Sequence, residues 1–262
     1  MTSVKLSALI ITFNEEANIR RCIQSLQPVA DEIIILDSYS SDKTPEICRA
    51  LGVAFYQHTF DGHIQQKNRI INYASYEHLI SLDADEALSK PLQQSVLDVK
   101  QNWESDAYQV KRCTQYLGKW IRHSGWYPDI KLRLWKKGKA RWAGKNPHDR
   151  LELIHPEPVP TLSGDLLHYS YHTIDDHVNQ INKFTRIGAQ EDFTKKRSIS
   201  ILWHLMLAPV AFFWKRLIYQ QAFRDGYPGI ILCVQYAYGK WLKYLKLYEL
   251  NRDKKRDENT VG

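Results

Sequence analysis

The first third of the chain alternates short apolar runs with segments of helical periodicity. Four apolar runs predict buried strands: 6–12, 32–37, 53–57 and 78–82. Three segments between them carry apolar residues every three or four positions, which predicts helices: 15–27, 44–51 and 65–74. This alternation is typical of a doubly wound, mostly parallel α/β sheet.

The rest of the chain divides into a β-rich and a helical part. Residues 106–150 have the pattern of strands rich in aromatic side chains, and 160–172 predicts a further strand that carries His168 near its end. From Ile174 to about Leu250 the pattern is helical. The predicted organisation is a globular domain, a helical region and a polar tail, at 1–173, 174–250 and 251–262.

The composition is that of a globular protein, with 44% hydrophobic and 25% charged residues among 262. The net charge of +7 is concentrated in two blocks. Residues 108–150 have 12 basic and 2 acidic side chains, and residues 195–262 have 13 and 5. Such blocks predict anionic partners. Nucleic acid is excluded as a partner, because the basic residues form no recognised binding module and the acidic edge of 1–107 would repel phosphates.

Two charge-free runs lie inside the second basic block. Residues 198–214 form a run of 17 that includes Pro209, at the lower limit of the roughly 17–25 apolar residues that span a bilayer. Residues 226–239 form a shorter run. Lysine and arginine flank both runs, which favours helices that lie in the interface of an anionic membrane. A soluble helical cap and a spanning helix remain the alternatives.

Polar side chains follow three of the predicted strands. They are Thr12, Asn14 and Glu15 after the first strand, Asp37 at the end of the second, and Asp83 and Asp85 after the fourth. The carboxyl ends of parallel strands meet at one edge of a sheet, where ligands bind. We therefore predict a binding site at this edge. Alternatively, some of these side chains cap helices, as Asn14 and Asp42 are placed to do.

The spacing of Asp83 and Asp85 suits a hard divalent cation. Two carboxylates one residue apart at a strand end can both reach Mg²⁺ or Mn²⁺, directly or through water. Such an ion neutralises a diphosphate leaving group. The D-x-D pattern alone is unspecific, and its position after a buried strand gives it weight.

These segments resemble glycosyltransferase family 2, the nucleotide-sugar transferases of the GT-A fold. The resemblance is carried by Ile11–Glu16, Asp37–Thr44, Gln66–Asn68 and Leu82–Glu86, in this order. Later segments are similar to the WaaE/KdtX-like branch of lipopolysaccharide core glucosyltransferases: Trp126–Asp129, Lys131–Trp135, Asn146–Asp149, Gly164–His168 and Asp225–Gly229. The resemblance makes 1–105 the donor-binding half of the globular domain and 106–173 the acceptor half.

The resemblance implies a role for each matched residue. In the family the first strand end contacts the nucleoside, the second reads the uracil edge, and the fourth binds the diphosphate and its metal. The implied donor-binding residues are Thr12, Asn14, Glu15, Asp37, Lys67, Asn68, Asp83 and Arg133. The implied metal ligands are Asp83, Asp85 and His168. Two alternatives stay open: His168 as a satisfied buried histidine, and Arg133 as part of a solvated strand face.

Inverting transfer, which the resemblance implies, needs a general base. Related enzymes have a His-Glu dipeptide in the place of His148-Asp149, which points to Asp149 as the base. Asp129 and Asp165 are the other candidates. Asp149 also suits a loop-capping role before Arg150.

The implied function is transfer of a hexose, glucose by resemblance, from a UDP-sugar to a lipopolysaccharide inner-core sugar such as heptose. The expected cofactor is Mg²⁺ or Mn²⁺. The expected partners are the UDP-sugar, the lipopolysaccharide core or another glycolipid acceptor, and an anionic membrane surface. The expected place is the cytoplasmic face of the inner membrane, bound peripherally or monotopically. The alternative keeps this chemistry and changes the acceptor to a polyprenyl phosphate or another cell-surface glycan.

Overall fold

The computed structural model describes residues 3–145, 148–171 and 173–260. The strands are β1 (Leu6–Thr12), β2 (Glu32–Asp37), β3 (Ala54–Gln57), β4 (His78–Asp83), β5 (Glu86–Leu88), β6 (Ala107–Tyr116), β7 (Lys119–Trp120), β8 (Asp129–Lys136), β9 (Ala140–Lys145), β10 (His148–Leu153) and β11 (Thr161–Tyr171). The α-helices are α1 (Ile19–Leu26), α2 (Thr44–Ala50), α3 (His63–Ile70), α4 (Lys90–Gln101), α5 (Ile174–Thr194), α6 (Ala208–Trp214) and α7 (Tyr227–Thr260).

The chain forms two compact units. Unit 1 comprises Met1–Thr114 and Pro128–Tyr169, and unit 2 comprises Gln115–Tyr127 and Ser170–Gly262. The predicted domain boundaries stay a prediction. Helix α7 continues to Thr260, through most of the segment predicted as a polar tail.

The sheet confirms the predicted doubly wound α/β architecture. Its strand order is β3-β2-β1-β4-β8-β6-β11-β5, and β7 pairs with β6. Strands β3, β2, β1 and β4 are parallel, whereas β8 runs antiparallel to β4 and to β6. Strands β9 and β10 form a separate antiparallel pair. The parallel half therefore places the ends of β1, β2 and β4 side by side.

Alternate residues of the parallel strands enter two apolar cores, one on each face of the sheet. Ala8 and Ile35 lie in the core that contains Leu92 of α4. Leu9 and Ile34 lie in the second core. Because successive strand residues point to opposite faces, strands buried on both sides must be apolar throughout. This explains the unbroken apolar runs in the sequence.

Unit 2 is mainly helical. Helix α5 begins at Ile174, as predicted, with a capping box at Thr173 and Asp176, and it packs against α7. The segment Ile201–Tyr219 is α6 flanked by π-helical turns. Among the described residues it is the one helix long and apolar enough to cross a membrane, judged by length and composition.

Gly229 lies in the first turn of α7, where the preceding backbone approaches the helix. A Cβ at this position would lie 2.0 Å from the carbonyl oxygen of Ala222. We therefore expect Gly229→Ala to destabilise the protein by about 1–3 kcal/mol, measured as a lower thermal unfolding midpoint. Gly239→Ala in the same helix is the control, because its Cβ would lie 3.4 Å from the Ile181 side chain, an ordinary contact. Equal effects of the two substitutions would contradict this packing.

His177 is buried in an aromatic cluster of unit 2, with its Nδ1 atom 3.0 Å from the Tyr116 hydroxyl oxygen. Burial lowers the pKa of His177 from 6.5 to about 4. The unfolded chain therefore binds its proton at a higher pH than the folded chain. The contribution of neutral His177 to the free energy of unfolding is fully present above pH 6.5. It falls as the pH decreases towards 4, by up to about 1.4 kcal/mol per pH unit.

We expect His177→Phe to flatten this dependence between pH 6.5 and 5, where most carboxylates do not titrate. The free energy of unfolding in urea, measured at several pH values in this window, checks the prediction. A slope equal to that of the unchanged protein would show that another group is responsible.

Candidate active site

Three strand ends meet at one edge of the sheet in unit 1. In the strand register Thr12 lies beside Asp37, and Ile11 lies beside Asp83. The parallel pairing of β2, β1 and β4 thus brings together the polar residues that the sequence places after separate strands.

The loop after β1 is tied to the loop after β2 by Asn14. Its backbone N–H donates to Ser40 Oγ at 2.8 Å, and its Oδ1 accepts from the Ser41 N–H at 2.8 Å. The prediction that Asn14 caps α1 is wrong, because α1 begins at Ile19 and is preceded by Asn18. Asn14 adopts a left-handed φ of 53°, which aims its side chain at the neighbouring loop.

Asp37 and Thr12 form the floor of this edge. Asp37 is fully buried and accepts hydrogen bonds from the Ser40 N–H at 2.9 Å and from Gln57 Nε2 at 3.0 Å. Thr12 is also buried, and in the described part of the chain its hydroxyl has no hydrogen-bond partner. A buried polar group without a partner is unfavourable, so this hydroxyl suits a ligand that would satisfy it.

Lys67 of α3 joins two carboxylates that are far apart in sequence. Its Nζ lies 2.6 Å from Asp83 Oδ1 and 2.8 Å from Asp149 Oδ2, and 4.3 Å from the ring centroid of Trp142. The lysine is 5% exposed. One ammonium group, that of the predicted donor-binding Lys67, therefore contacts both Asp83, predicted to bind the diphosphate, and Asp149, the predicted base.

Arg133 of β8 holds the other side of Asp83. Its Nη2 atom lies 3.1 Å from Asp83 Oδ2 and 2.7 and 2.8 Å from the two oxygens of Glu86. Glu86 also accepts the Asp83 backbone N–H at 3.0 Å. Arg133 is 3% exposed, so its interpretation as part of a solvated strand face is wrong.

These cations fix the ionisation of the fourth strand end. Burial alone would raise the pKa of Asp83, but Lys67 and Arg133 hold it well below its usual range. Burial alone would lower the pKa of Arg133, but Glu86 and Asp83 raise it. Both groups are therefore charged at neutral pH.

The charges continue as an alternating chain across unit 1. Its members, in order of contact, are Asp149, Lys67, Asp83, Arg133, Glu86, Arg112, Asp129 and Lys131. Acidic and basic members are equal in number. The chain is therefore neutral and has no surplus positive charge for a diphosphate.

Asp85 and His168 form a separate pair beside this chain. His168 Nε2 lies 3.1 Å from Asp85 Oδ2, and His168 Nδ1 lies 3.1 Å from Thr114 Oγ1. Pairing of β11 with β5 places His168 opposite Glu86. Two of the three predicted metal ligands are thus adjacent. Within the described ranges, no group of three His, Cys, Asp or Glu side chains has the arrangement of a metal site.

Glu15 adds to the negative charge at this edge. Burial, together with repulsion from Asp85, Asp42 and Asp83, raises its pKa, and a hydrogen bond from Asn18 opposes this. Its backbone N–H donates to Thr44 Oγ1 at 2.8 Å. Carboxylates gathered without equal positive charge favour binding of a cation.

Other predicted residues have different surroundings. The Asn68 amide is paired with the backbone of Trp142, at 2.9 Å to its carbonyl oxygen and 3.0 Å from its N–H. The backbone of Asp165 pairs with Ser89, the N-cap of α4. Asp129 contacts Arg112 and Lys131 within the charged chain. Asn146, Pro147 and the His148 side chain lie outside the described residues.

Two contributors to the site were not predicted as site residues. Glu86 stands next to Asp85, so its position after the strand was a usable signal. Trp142 lies under Lys67 and Arg133, at 4.3 and 5.7 Å from the ring centroid. Nothing local in the sequence marks it, because its contact with Lys67 depends on the packing of α3 against β9.

The curled, mostly parallel sheet with polar strand ends at one edge is a GT-A-like fold. The model of glycosyl transferase family 2 matches residues 7–152, and the chain belongs to this family. It is therefore a glycosyltransferase.

Relatives that match along most of the chain are glycosyltransferases as well. The lipopolysaccharide core biosynthesis glycosyltransferase LpsC of Rhizobium meliloti is 26% identical, over 96% of this chain and 94% of its own. An uncharacterised glycosyltransferase of Rickettsia typhi is 28% identical, over 94% and 88%. The mannosyltransferase PcManGT of Pyrobaculum calidifontis, solved with GDP-Man and Mn²⁺, has a similar fold, with a TM-score of 0.52 at 14% identity over 95% and 88% of the two chains.

Proposed function

We propose that the protein is an inverting hexosyltransferase that moves glucose from UDP-glucose to a heptose of the lipopolysaccharide inner core. The likeness to LpsC along nearly the whole chain supports the acceptor class. The observation that carries the mechanism is the Lys67 ammonium, which lies within 2.8 Å of both Asp83 and Asp149. It couples the donor edge to the base that activates the acceptor.

The donor nucleoside is proposed to lie along the ends of β1 and β2. The Thr12 hydroxyl, which has no hydrogen-bond partner among the described residues, would bond to the nucleoside, and the loop held by Asn14 would cover it. Asp37 lies at the floor of this edge, already bonded to Ser40 and Gln57. A uracil base that takes the place of the Gln57 amide would be recognised by the Asp37 carboxylate through its edge.

A divalent cation fits the edge through Asp85 and His168. Mg²⁺ is commonly bound by one or two carboxylates together with substrate phosphates, and carboxylate oxygen also suits Mn²⁺. Asp85 would supply this oxygen, and His168 would complete the protein's share of the ligands. Because the alternating charged chain is neutral, it does not balance a diphosphate by itself. When bound, the cation would neutralise the leaving diphosphate. Asp83 would lie beside the cation and the diphosphate, with its carboxylate oriented by Lys67 and Arg133.

Asp149 is proposed to accept the proton of the acceptor hydroxyl. A base must lie within hydrogen-bond reach of that proton and must be held in orientation. Lys67 provides the orientation at 2.8 Å, and the buried position of the lysine limits the motion of the pair. Direct displacement on the opposite face of the sugar then inverts the anomeric carbon.

We expect Asp149→Asn to reduce kcat by about 10²–10⁴-fold, because the amide cannot take the proton. KM for the sugar nucleotide should change little, since among the described residues Asp149 reaches the donor edge through Lys67. Asp165→Asn is the control, and its kcat should stay close to that of the unchanged enzyme. A large loss in the Asp165 variant together with full activity in the Asp149 variant would assign the base to Asp165.

A screen of donors and acceptors tests the function. Purified protein with Mn²⁺ is incubated with UDP-glucose, UDP-galactose or GDP-mannose, and nucleotide release is measured with a heptose-terminated core oligosaccharide or with a polyprenyl phosphate. Release that requires UDP-glucose and the core is the expected result. Release that requires polyprenyl phosphate instead would replace the acceptor, and no release with any pair would overturn the proposal.

The proposed place of action is the cytoplasmic face of the inner membrane, where sugar nucleotides and nascent lipopolysaccharide core meet. The exposed apolar segment Ile201–Tyr219 and the excess of basic residues over 195–262 support a membrane partner.

A further inference from the structure

The segment Ile201–Tyr219 turns an apolar face outward. Residues on this face recur every three or four positions and are each more than half exposed: Leu202, Trp203, Met206, Val210, Trp214 and Ile218. Of its polar residues, Lys215 is exposed beside Trp214, whereas His204 and Arg216 are only partly exposed. A surface helix in water has the opposite arrangement, with polar residues outside. An apolar face of this extent marks an interaction surface.

The inner side of this segment contacts the rest of unit 2 near both of its ends. The His204 ring lies 4.6 Å from the ring of Tyr244 in α7. The Arg216 guanidinium lies 3.3 Å from the ring centroid of Tyr236 in α7 and donates a hydrogen bond to the Ser124 carbonyl oxygen. The helix is therefore held along α7 and does not stand away from unit 2.

Helix α7 carries charges alongside the apolar segment. Lys240 Nζ lies 5.3 Å from the ring centroids of Phe212 and Tyr244, and Lys243 pairs with Asp192 of α5. A helix that crossed the bilayer would carry these charges into hydrocarbon, which is strongly unfavourable. The contacts thus favour a helix that lies in the plane of the membrane.

An apolar groove runs between α6 and α7. Its volume is about 480 Å³. Its lining includes Pro209, Val210, Phe213, Val234, Tyr238 and Trp241. Aromatic residues with a polar tip, such as tyrosine and tryptophan, are favoured at the boundary between headgroups and acyl chains. The groove therefore suits hydrocarbon at that depth.

A basic pocket of about 520 Å³ lies at the N-terminal end of the same segment. Its charged lining residues are Lys196, Arg197, Arg252 and Lys254. Arg197 pairs with Asp192, and Arg252 pairs with Asp253. The described lining of the pocket contains these four cationic side chains and no carboxylate, so the pocket is complementary to phosphate headgroups of anionic lipids.

We propose that unit 2 docks flat on an anionic lipid bilayer. Ile201–Tyr219 lies parallel to the membrane, with its outward face at the boundary between headgroups and acyl chains. The groove takes up hydrocarbon and the basic pocket binds lipid phosphates. This deepens the membrane part of the proposed function and is independent of which sugar is transferred.

Binding to vesicles tests the surface. The full chain is sedimented with vesicles of phosphatidylethanolamine and phosphatidylglycerol, without any sugar nucleotide. Val210→Glu with Trp214→Glu should weaken partitioning at least about tenfold, because both side chains face outward. Ile154→Glu in unit 1 is the matched control, since Ile154 is also about half exposed, and it should have no effect. Equal binding by all three proteins would overturn the proposal.

The basic pocket makes a separate prediction about lipid charge. Lys196→Gln and Arg252→Gln should each reduce binding to vesicles with phosphatidylglycerol about fivefold, and leave binding to pure phosphatidylcholine unchanged. Equal losses on both vesicles, or no loss on either, would contradict headgroup recognition.

Depth measurements separate a flat helix from a spanning one. Single substitutions Leu202→Cys, Val210→Cys and Ile218→Cys are labelled with a fluorophore, and quenching by lipids with nitroxides at different depths is recorded. The native cysteines are buried, so labelling is selective. A flat helix gives the same shallow depth at all three positions. A spanning helix would place Val210 about 12 Å deeper than the other two, and that result would overturn the proposal.

A second copy of the chain is the other candidate occupant of this face. Sedimentation velocity without lipid, on the unchanged protein and the Val210/Trp214 variant, addresses it. A monomer in both cases is expected. A dimer that the variant abolishes, combined with absence of vesicle binding, would replace the membrane with a protein interface. Transfer activity with soluble acceptor is measured in parallel, so that failure of membrane docking and failure of the proposed chemistry are distinguishable.

Discussion

Replacing Asp85 with asparagine is expected to reduce sugar transfer by about 10²–10³-fold while the protein stays folded. The carboxylate of Asp85 is proposed to hold the cation that balances the diphosphate, and an amide is a much weaker ligand for a hard ion. The side chain is 24% exposed and its carboxylate contacts His168, so its loss should disturb packing little. The initial rate of nucleotide release at saturating donor measures the effect.

Asp98→Asn is the matched control for this substitution, because Asp98 is an exposed carboxylate of α4 in the same unit. Its activity should be unchanged. Calorimetry of UDP binding with and without Mn²⁺ gives a second readout: the Asp85 variant should lose the increase in affinity that Mn²⁺ brings. Full activity with an unchanged response to Mn²⁺ would remove Asp85 from the site.

The second large effect concerns stability. Glu86→Ala and Arg133→Met are each expected to destabilise the protein by about 3–5 kcal/mol, because each leaves a buried charge without its main partner. Both residues are almost fully buried, and Arg133 Nη2 bonds both oxygens of Glu86. Urea unfolding followed by circular dichroism measures the loss.

The double variant Glu86→Ala/Arg133→Met provides the control. It removes both charges together, so its destabilisation should be smaller than the sum of the single losses by about 0.5–3 kcal/mol. Arg69→Met is a comparison for an exposed pair, because Arg69 and Asp61 meet at the surface, and it should lose about 0–1 kcal/mol. Additive losses in the double variant would show that Glu86 and Arg133 do not act as a pair.

The sequence predicted the donor side of the fold because its signals are local. Each parallel strand is an unbroken apolar run, and each polar strand end follows directly, so the meeting of Thr12, Asp37 and Asp83 required only the parallel pairing rule. The proximity of His168 to Asp85 agrees with the ligand set that the resemblance implied. The roles of these residues stay predictions until they are tested.

Long-range contacts could not be predicted in the same way. The ammonium of Lys67 reaches Asp149 across 82 positions, and Arg133 reaches Glu86 across 47. These pairs depend on how β8 and β10 lie against the parallel strands, which no local pattern encodes. Asn14 shows the same limit. Its preference for a helix cap is overridden by its hydrogen bond with Ser41 in the loop after β2.

The configuration of the product tests the central claim most directly. The purified full chain is incubated with Mn²⁺, UDP-α-glucose labelled with ¹³C at the anomeric carbon, and a heptose-terminated core oligosaccharide, and the product is examined by NMR. We expect one new β-linked glucose on heptose, absent when the Asp149→Asn variant replaces the unchanged enzyme. An α-linked product, or full formation of the β-linked product by that variant, would contradict this claim.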